Sequence, residues 1–258
     1  MAAGTGHQAA YGLITGFDPF ERIEAYTAAL ADSADGHLAE PVPSCPGWRV
    51  ADLVWHLTEV HAWWGALVAA RAQDHTEVAD PVRPDDDATL VPGLVAGAGR
   101  LLTTLRAAEP TEPVWTWAAQ KDVAFVVRHQ VHEAAVHRWD AGQAVGAKVA
   151  LDPAAATDGV EEFLETVTPY RTSGAEPLGG RLALVASDTG FGWSIEEDEE
   201  GTARWRRLTG EPEHASAVLR ASAADLLLYL YRRRAASELD VSGEVGVAER
   251  FALRNPTD

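Results

Sequence analysis

Two textures divide this chain, and the change between them near Ala147 constrains the fold more than any single residue does. Before it, apolar residues recur at helical spacing in four long runs. After it, short strand-like runs alternate with turn residues and with shorter helical stretches.

Residues 17–33 carry Phe20, Ile23, Tyr26 and Leu30 on one face and read as a first helix. Residues 41–47 (Pro-Val-Pro-Ser-Cys-Pro-Gly) form a breaker-rich loop. Residues 48–72 read as a long second helix, with Val50, Leu53, Val54, Leu57, Val60 and Trp64 on its apolar side. The polar stretch 74–87 is a loop, 88–108 a third helix, 110–117 a connector and 122–145 a fourth helix. Four helices with short to moderate links predict a four-helix bundle. Asp152 and Pro153 have the residue types of an N-cap and a first turn, so a further helix is expected to about residue 170. Strands are expected at 181–186, 192–195, 202–208 and 216–221, with an acidic turn at 196–201. Ser222 and Asp225 resemble a capping box before the apolar run 226–230, and a last helix covers 244–253. The fold class is therefore α+β, with a helical domain over 1–148 and a smaller α+β domain over 149–258.

The net charge of −18 argues against nucleic acid or an anionic membrane as a partner, since both call for basic surfaces. Residues 1–14 lack a basic start and a long apolar run, and the apolar stretch 62–70 is far short of the ~20 residues of a membrane span. Cys45 is the only cysteine, which excludes an intrachain disulfide and fits a reducing cytoplasm. Chemistry that needs a thiol would draw it mostly from a cofactor.

The densest chemistry lies at Arg128-His-Gln-Val-His-Glu-Ala-Ala-Val-His137-Arg-Trp-Asp140. At ~100° per residue, His129, Glu133 and His137 sit one above another on one helical face. A Glu and a His at i, i+4 can hold one metal ion. The best partner on another helix is His56, which would complete two histidines and one carboxylate with positions left open on zinc or another divalent ion. His61 lies about 140° further round the same helix and is not expected to share His56's direction. His129 and His132 read as supporting, substrate-facing or structural, and Asp140 as a carboxylate that could orient a ligand histidine. Against this stands the plainer reading of ordinary surface or core histidines, because Glu-x-x-x-His arises often by accident. Trp55, Trp63, Trp64, Trp115 and Trp117 read as core or pocket wall.

Val42-Pro-Ser-Cys-Pro-Gly-Trp48 with Asp52-Leu-Val-Trp-His56-Leu, then residues 128–140, resemble the two N-terminal motifs of the mycothiol-dependent maleylpyruvate isomerase family. Asp225-Leu-Leu-Leu-Tyr-Leu-Tyr-Arg-Arg-Arg234 and Leu239-Asp-Val-Ser-Gly243-Glu are similar to its C-terminal domain. The resemblance implies a DinB-like four-helix bundle followed by a sterol-carrier-like α/β domain. It implies His56, Glu133 and His137 as ligands of a divalent metal, zinc foremost, and mycothiol as the thiol cofactor. It also implies a catalytic arginine, best matched by Arg233, although Arg232 stands where the family often has Gly. The plainer reading of Arg232, Arg233 and Arg234 is a basic helix end suited to the macrodipole.

The activity so implied is cis–trans isomerisation of an unsaturated diacid by reversible thiolate addition. The alternatives are transfer of mycothiol sulfur onto an electrophile, and a non-catalytic binding module. The implied partners are a small thiol and a small electrophilic or unsaturated acid. Cys45 as nucleophile is a minor reading, since no histidine adjoins it in sequence. Oligomeric state is open.

Overall fold

The computed structural model describes residues 8–170 and 175–255. They form two compact units, Met1–Leu151 and Asp152–Asp258.

The first unit holds α1 (Pro19–Ala34), α2 (Val50–Ala70), α3 (Leu90–Ala107) and α4 (Val123–Ala144). Side chains start two of them: Asp18 accepts from the amides of Phe20 and Glu21, and Asp122 from that of Phe125. Helix α2 stops where Arg71 takes a left-handed φ of 53°. Helix α1 packs on α4 and α3, and α2 packs on α3 and α4, which makes a square of four. Helix α4 is buried nearly all round, polar residues included, as expected of a helix enclosed by its neighbours. The segment Asp87–Ala107 is long and apolar enough to span a membrane by composition alone. Here Leu90, Leu94, Leu101, Leu102 and Leu105 on α3 face the bundle interior instead.

The loop between α1 and α2 is tied across its neck, where Val42 donates to the Trp48 carbonyl at 3.0 Å and Pro41 bridges to Arg49. Gly47 turns it with φ 89° in open space. Glycine is used there for its backbone freedom and not for lack of room.

The second unit opens with α5 (Pro153–Thr166), capped by Asp152, which accepts from the Ala155 amide at 3.0 Å. Strands β1 (Leu182–Ala186), β2 (Gly192–Glu197), β3 (Ala203–Arg207), β4 (Ala217–Ala221) and β5 (Asp240–Gly243) form one sheet in the order β3-β2-β1-β4-β5. Only the β1–β4 pair is parallel. Helix α6 (Ala223–Leu230) packs on α5, β1 and β4, and α7 (Val245–Arg254) on β4. Leu182, Leu184, Trp193, Ile195 and Leu219 form the buried sheet face. Under it, the Trp193 indole and the Arg207 guanidinium both donate to buried Glu161.

Two boundaries and one strand depart most from the sequence expectation. Helix α5 ends at Thr166, short of residue 170. The acidic turn is shorter than 196–201, because Glu196 and Glu197 continue β2. Arg181 binds Glu196 at 2.8 Å and Arg254 binds Glu197 at 2.8 Å, so their charges are compensated. Strand β5 was not expected. Its Asp-Val-Ser-Gly sequence has little strand character, and pairing with β4 makes it one.

Candidate metal centre

Helix α2 brings His56, and α4 brings Glu133 and His137, to one place. One ligand atom from each lies within 4.8 Å of the others. Nε2 of His56 is 3.9 Å and Nε2 of His137 3.4 Å from Oε2 of Glu133. The His56 and His137 rings meet edge-on at 4.9 Å. The side chains of His56 and Glu133 are 25% and 21% exposed, so the trio is open to a small molecule.

Asp140, fully buried, stands behind His137 with Oδ2 3.0 Å from Nδ1. An ionised carboxylate only accepts, so Nδ1 carries the hydrogen. Nε2 is then the ring atom aimed at Glu133, which is the tautomer a metal ligand needs. Asp140 also accepts from the Ser44 hydroxyl at 2.6 Å and has the Cys45 thiol at 3.8 Å. The loop motif around Cys45 thus reaches the carboxylate that orients His137. Ser44 lies within that loop motif, but no sequence signal gave it this role.

The electrostatics follow from these contacts. Burial is the largest influence on Glu133 and opposes its ionisation. Hydrogen bonds and charge from His129 and His137 together outweigh it and hold the carboxyl well below its usual range. Burial likewise disfavours the His137 cation, but hydrogen bonds to Asp140 and Glu133 raise it to about 9. Without a metal, His137 is therefore protonated at neutral pH.

The other histidines that the sequence singled out, His61, His129 and His132, stay outside the trio. His129 Nε2 lies 3.3 Å from Oε1 of Glu133, its ring stacked on Phe125 and edge-on to Trp117. His132 is buried. His61 is 1% exposed inside the bundle, and burial lowers it to about 4, so its ring is neutral. Trp64 and Trp115 stack at 6.5 Å, and Trp63 meets both edge-on.

In the second unit Arg232 closes α6 with a left-handed φ of 60°, the conformation glycine favours. Arg233 donates to the Tyr231 carbonyl at 2.9 Å and lies over the Tyr231 ring. Arg234 pairs with Asp225 at 3.4 Å.

These features define a class: a four-helix bundle carrying a two-histidine, one-carboxylate candidate metal centre, joined to an α+β unit. The chain belongs to the mycothiol maleylpyruvate isomerase family. The N-terminal domain of that family matches residues 20–142 and its C-terminal domain residues 154–250. Among solved structures, a mycothiol-dependent maleylpyruvate isomerase aligns with a TM-score of 0.58 at 16% identity, over 88% of this chain and 92% of that one. A histidine-to-alanine mutant of it aligns with the same TM-score at 15% identity. At such identities the likeness is one of fold. No curated protein matches the chain.

Proposed function

We propose that this chain is a cytoplasmic, metal- and mycothiol-dependent enzyme that isomerises a maleylpyruvate-like cis diacid by reversible thiolate addition. The observation that carries this reading is the trio within 4.8 Å, with buried Asp140 fixing the His137 tautomer. The donor set suits a divalent ion such as zinc, held by His56, Glu133 and His137, with places left for water or a thiol. A bound metal of this kind makes a coordinated thiol a thiolate at neutral pH.

The chain's own residues have separate tasks. Asp140 orients His137 and keeps Nδ1 protonated. Glu133 supplies the anionic ligand and receives His129 on its other oxygen. Arg233 is assigned to a substrate carboxylate, which a guanidinium binds bidentately.

The test is metal content per chain in wild type and His137→Ala, followed by isomerase assay with mycothiol. Near-stoichiometric metal lost in the variant, with mycothiol-dependent turnover, is the expected result. Metal without isomerisation, but with mycothiol conjugation to an electrophile, replaces isomerase by transferase. Equal trace metal in both, persisting after reconstitution, overturns the ligand assignment and favours a binding module.

A further inference from the structure

A cavity of about 250 Å³ opens beside His56 and is lined by Glu59, Trp63, Trp64, Trp117 and Asp80. Helix α2 places His56, Glu59 and Trp63 at i, i+3 and i+7, on one face. Trp64 is almost fully buried and Trp117 crosses it at 5.5 Å between ring centroids. The cavity therefore joins a candidate ligand of the metal to indole surfaces and two carboxylates.

Its charge is one-sided. Among the described residues, no Lys or Arg lines it, and the carboxylates of Glu59 and Asp80 have neither a hydrogen bond nor an ion pair. The cation nearest to Asp80 in sequence, Arg83, is engaged by Asp52 at 2.6 Å and Asp87 at 3.1 Å. A dicarboxylate here would meet two like charges and neither Lys nor Arg to offset them. A purely apolar group would strip water from both carboxylates without replacing it. An uncharged ring bearing hydroxyls satisfies both demands. Its C–H faces pack on indole, and its O–H groups donate to the carboxylates. The volume falls below the roughly 300–1,000 Å³ of drug-sized sites, which suits one such ring.

We propose that this cavity is the subsite for one ring of the polyhydroxylated part of the thiol cofactor, with Glu59 and Asp80 as its hydrogen-bond acceptors. The proposal rests on the mycothiol reading above, since mycothiol carries its thiol on an uncharged, polyhydroxylated scaffold. With the sulfur at the trio, that scaffold extends past His56 along the Glu59 and Trp63 face. The unsaturated acid is left to bind elsewhere.

The probe is N-acetylglucosaminyl-inositol, the polyol of mycothiol without its cysteine. Calorimetry and saturation-transfer NMR compare wild type, Glu59→Gln, Asp80→Asn and the double variant, with melting curves to establish folding. The expected result is millimolar binding to wild type, weakened about tenfold by each variant, as for loss of one hydrogen bond to a charged acceptor. Mycothiol should displace the probe. Undiminished binding in the folded double variant overturns the proposal. So does no binding to wild type, displacement by maleate, or a probe that stays bound under saturating mycothiol, which marks a separate sugar-substrate site. Cobalt(II) loading with 2-mercaptoethanol separates the two readings. A cobalt–thiolate absorption band without probe binding removes this subsite and leaves the proposed function standing. Probe binding without cobalt uptake does the reverse.

Discussion

Replacing Asp140 with asparagine keeps the shape of the side chain and removes its charge. In the native fold its carboxylate takes the Nδ1 hydrogen of His137 at 3.0 Å and the Ser44 hydroxyl at 2.6 Å, with no exposure to solvent. An asparagine can offer its NH2 to Nδ1, which moves the ring hydrogen to Nε2 and takes away the ligand lone pair. Loss of such a supporting carboxylate typically weakens metal binding about 10–100-fold. That is roughly 1.4–2.7 kcal/mol. The metal-free protein should lose stability as well. The rise of His137 from 6.5 to about 9 is a linkage term on the order of 3 kcal/mol, and Asp140 is first among the groups raising it. Because this folded value is raised, the contribution is fully present below pH 6.5 and fades as pH climbs through about 9. Zinc competition against a chromophoric chelator reads the first effect. Urea melts of metal-free wild type and Asp140→Asn at pH 6 and pH 9.5 read the second. The variant should be much the weaker at pH 6, with the gap narrowing at pH 9.5. Zinc affinity within twofold of wild type, together with a pH-independent gap, would refute the reasoning.

Other outcomes follow from the same geometry. Zinc must displace the proton that His137 holds up to about 9, so apparent affinity should rise by about tenfold per pH unit between 7 and 8.5, with close to one proton released per metal in a weakly buffered titration. Arg207→Ala leaves the buried Glu161 carboxylate, among the described residues, with only the Trp193 indole as side-chain donor, and because Arg207 is itself half exposed thermal melts should show a loss of about 1–3 kcal/mol at neutral pH. Gly47→Ala forces a side chain into φ 89° without any clash, so denaturant melts should show a cost of about 1–2 kcal/mol from the backbone alone.

The helices were legible because their apolar period is sustained, and at Asp152 the capping residue agrees with it. Strand β5 was not, since an edge partner makes Asp240–Gly243 a strand while its composition does not. Glu196 and Glu197 read as turn because the arginines that neutralise them, Arg181 and Arg254, lie far off in sequence. At the candidate site, Glu133 and His137 share a face by spacing alone, and the bundle supplied the reason to look for a partner such as His56. Ser44 on Asp140 joins residues 96 apart and leaves no local pattern. The same holds for the cavity wall, where Asp80 and Trp117 come from loops and meet α2 only through tertiary packing.

The contact of Ser44 and Cys45 with Asp140 ties two things usually considered apart, the order of a surface loop and the grip of an ion site. One carboxylate serves both, so the free energies are reciprocal. If the candidate centre holds a metal, whatever steadies residues 42–48 would tighten that hold by the same factor by which metal would steady the loop. Cys45, half-buried against that carboxylate, is then a native reporter: the rate at which its thiol is alkylated should fall as the site fills, by the factor that measures this coupling.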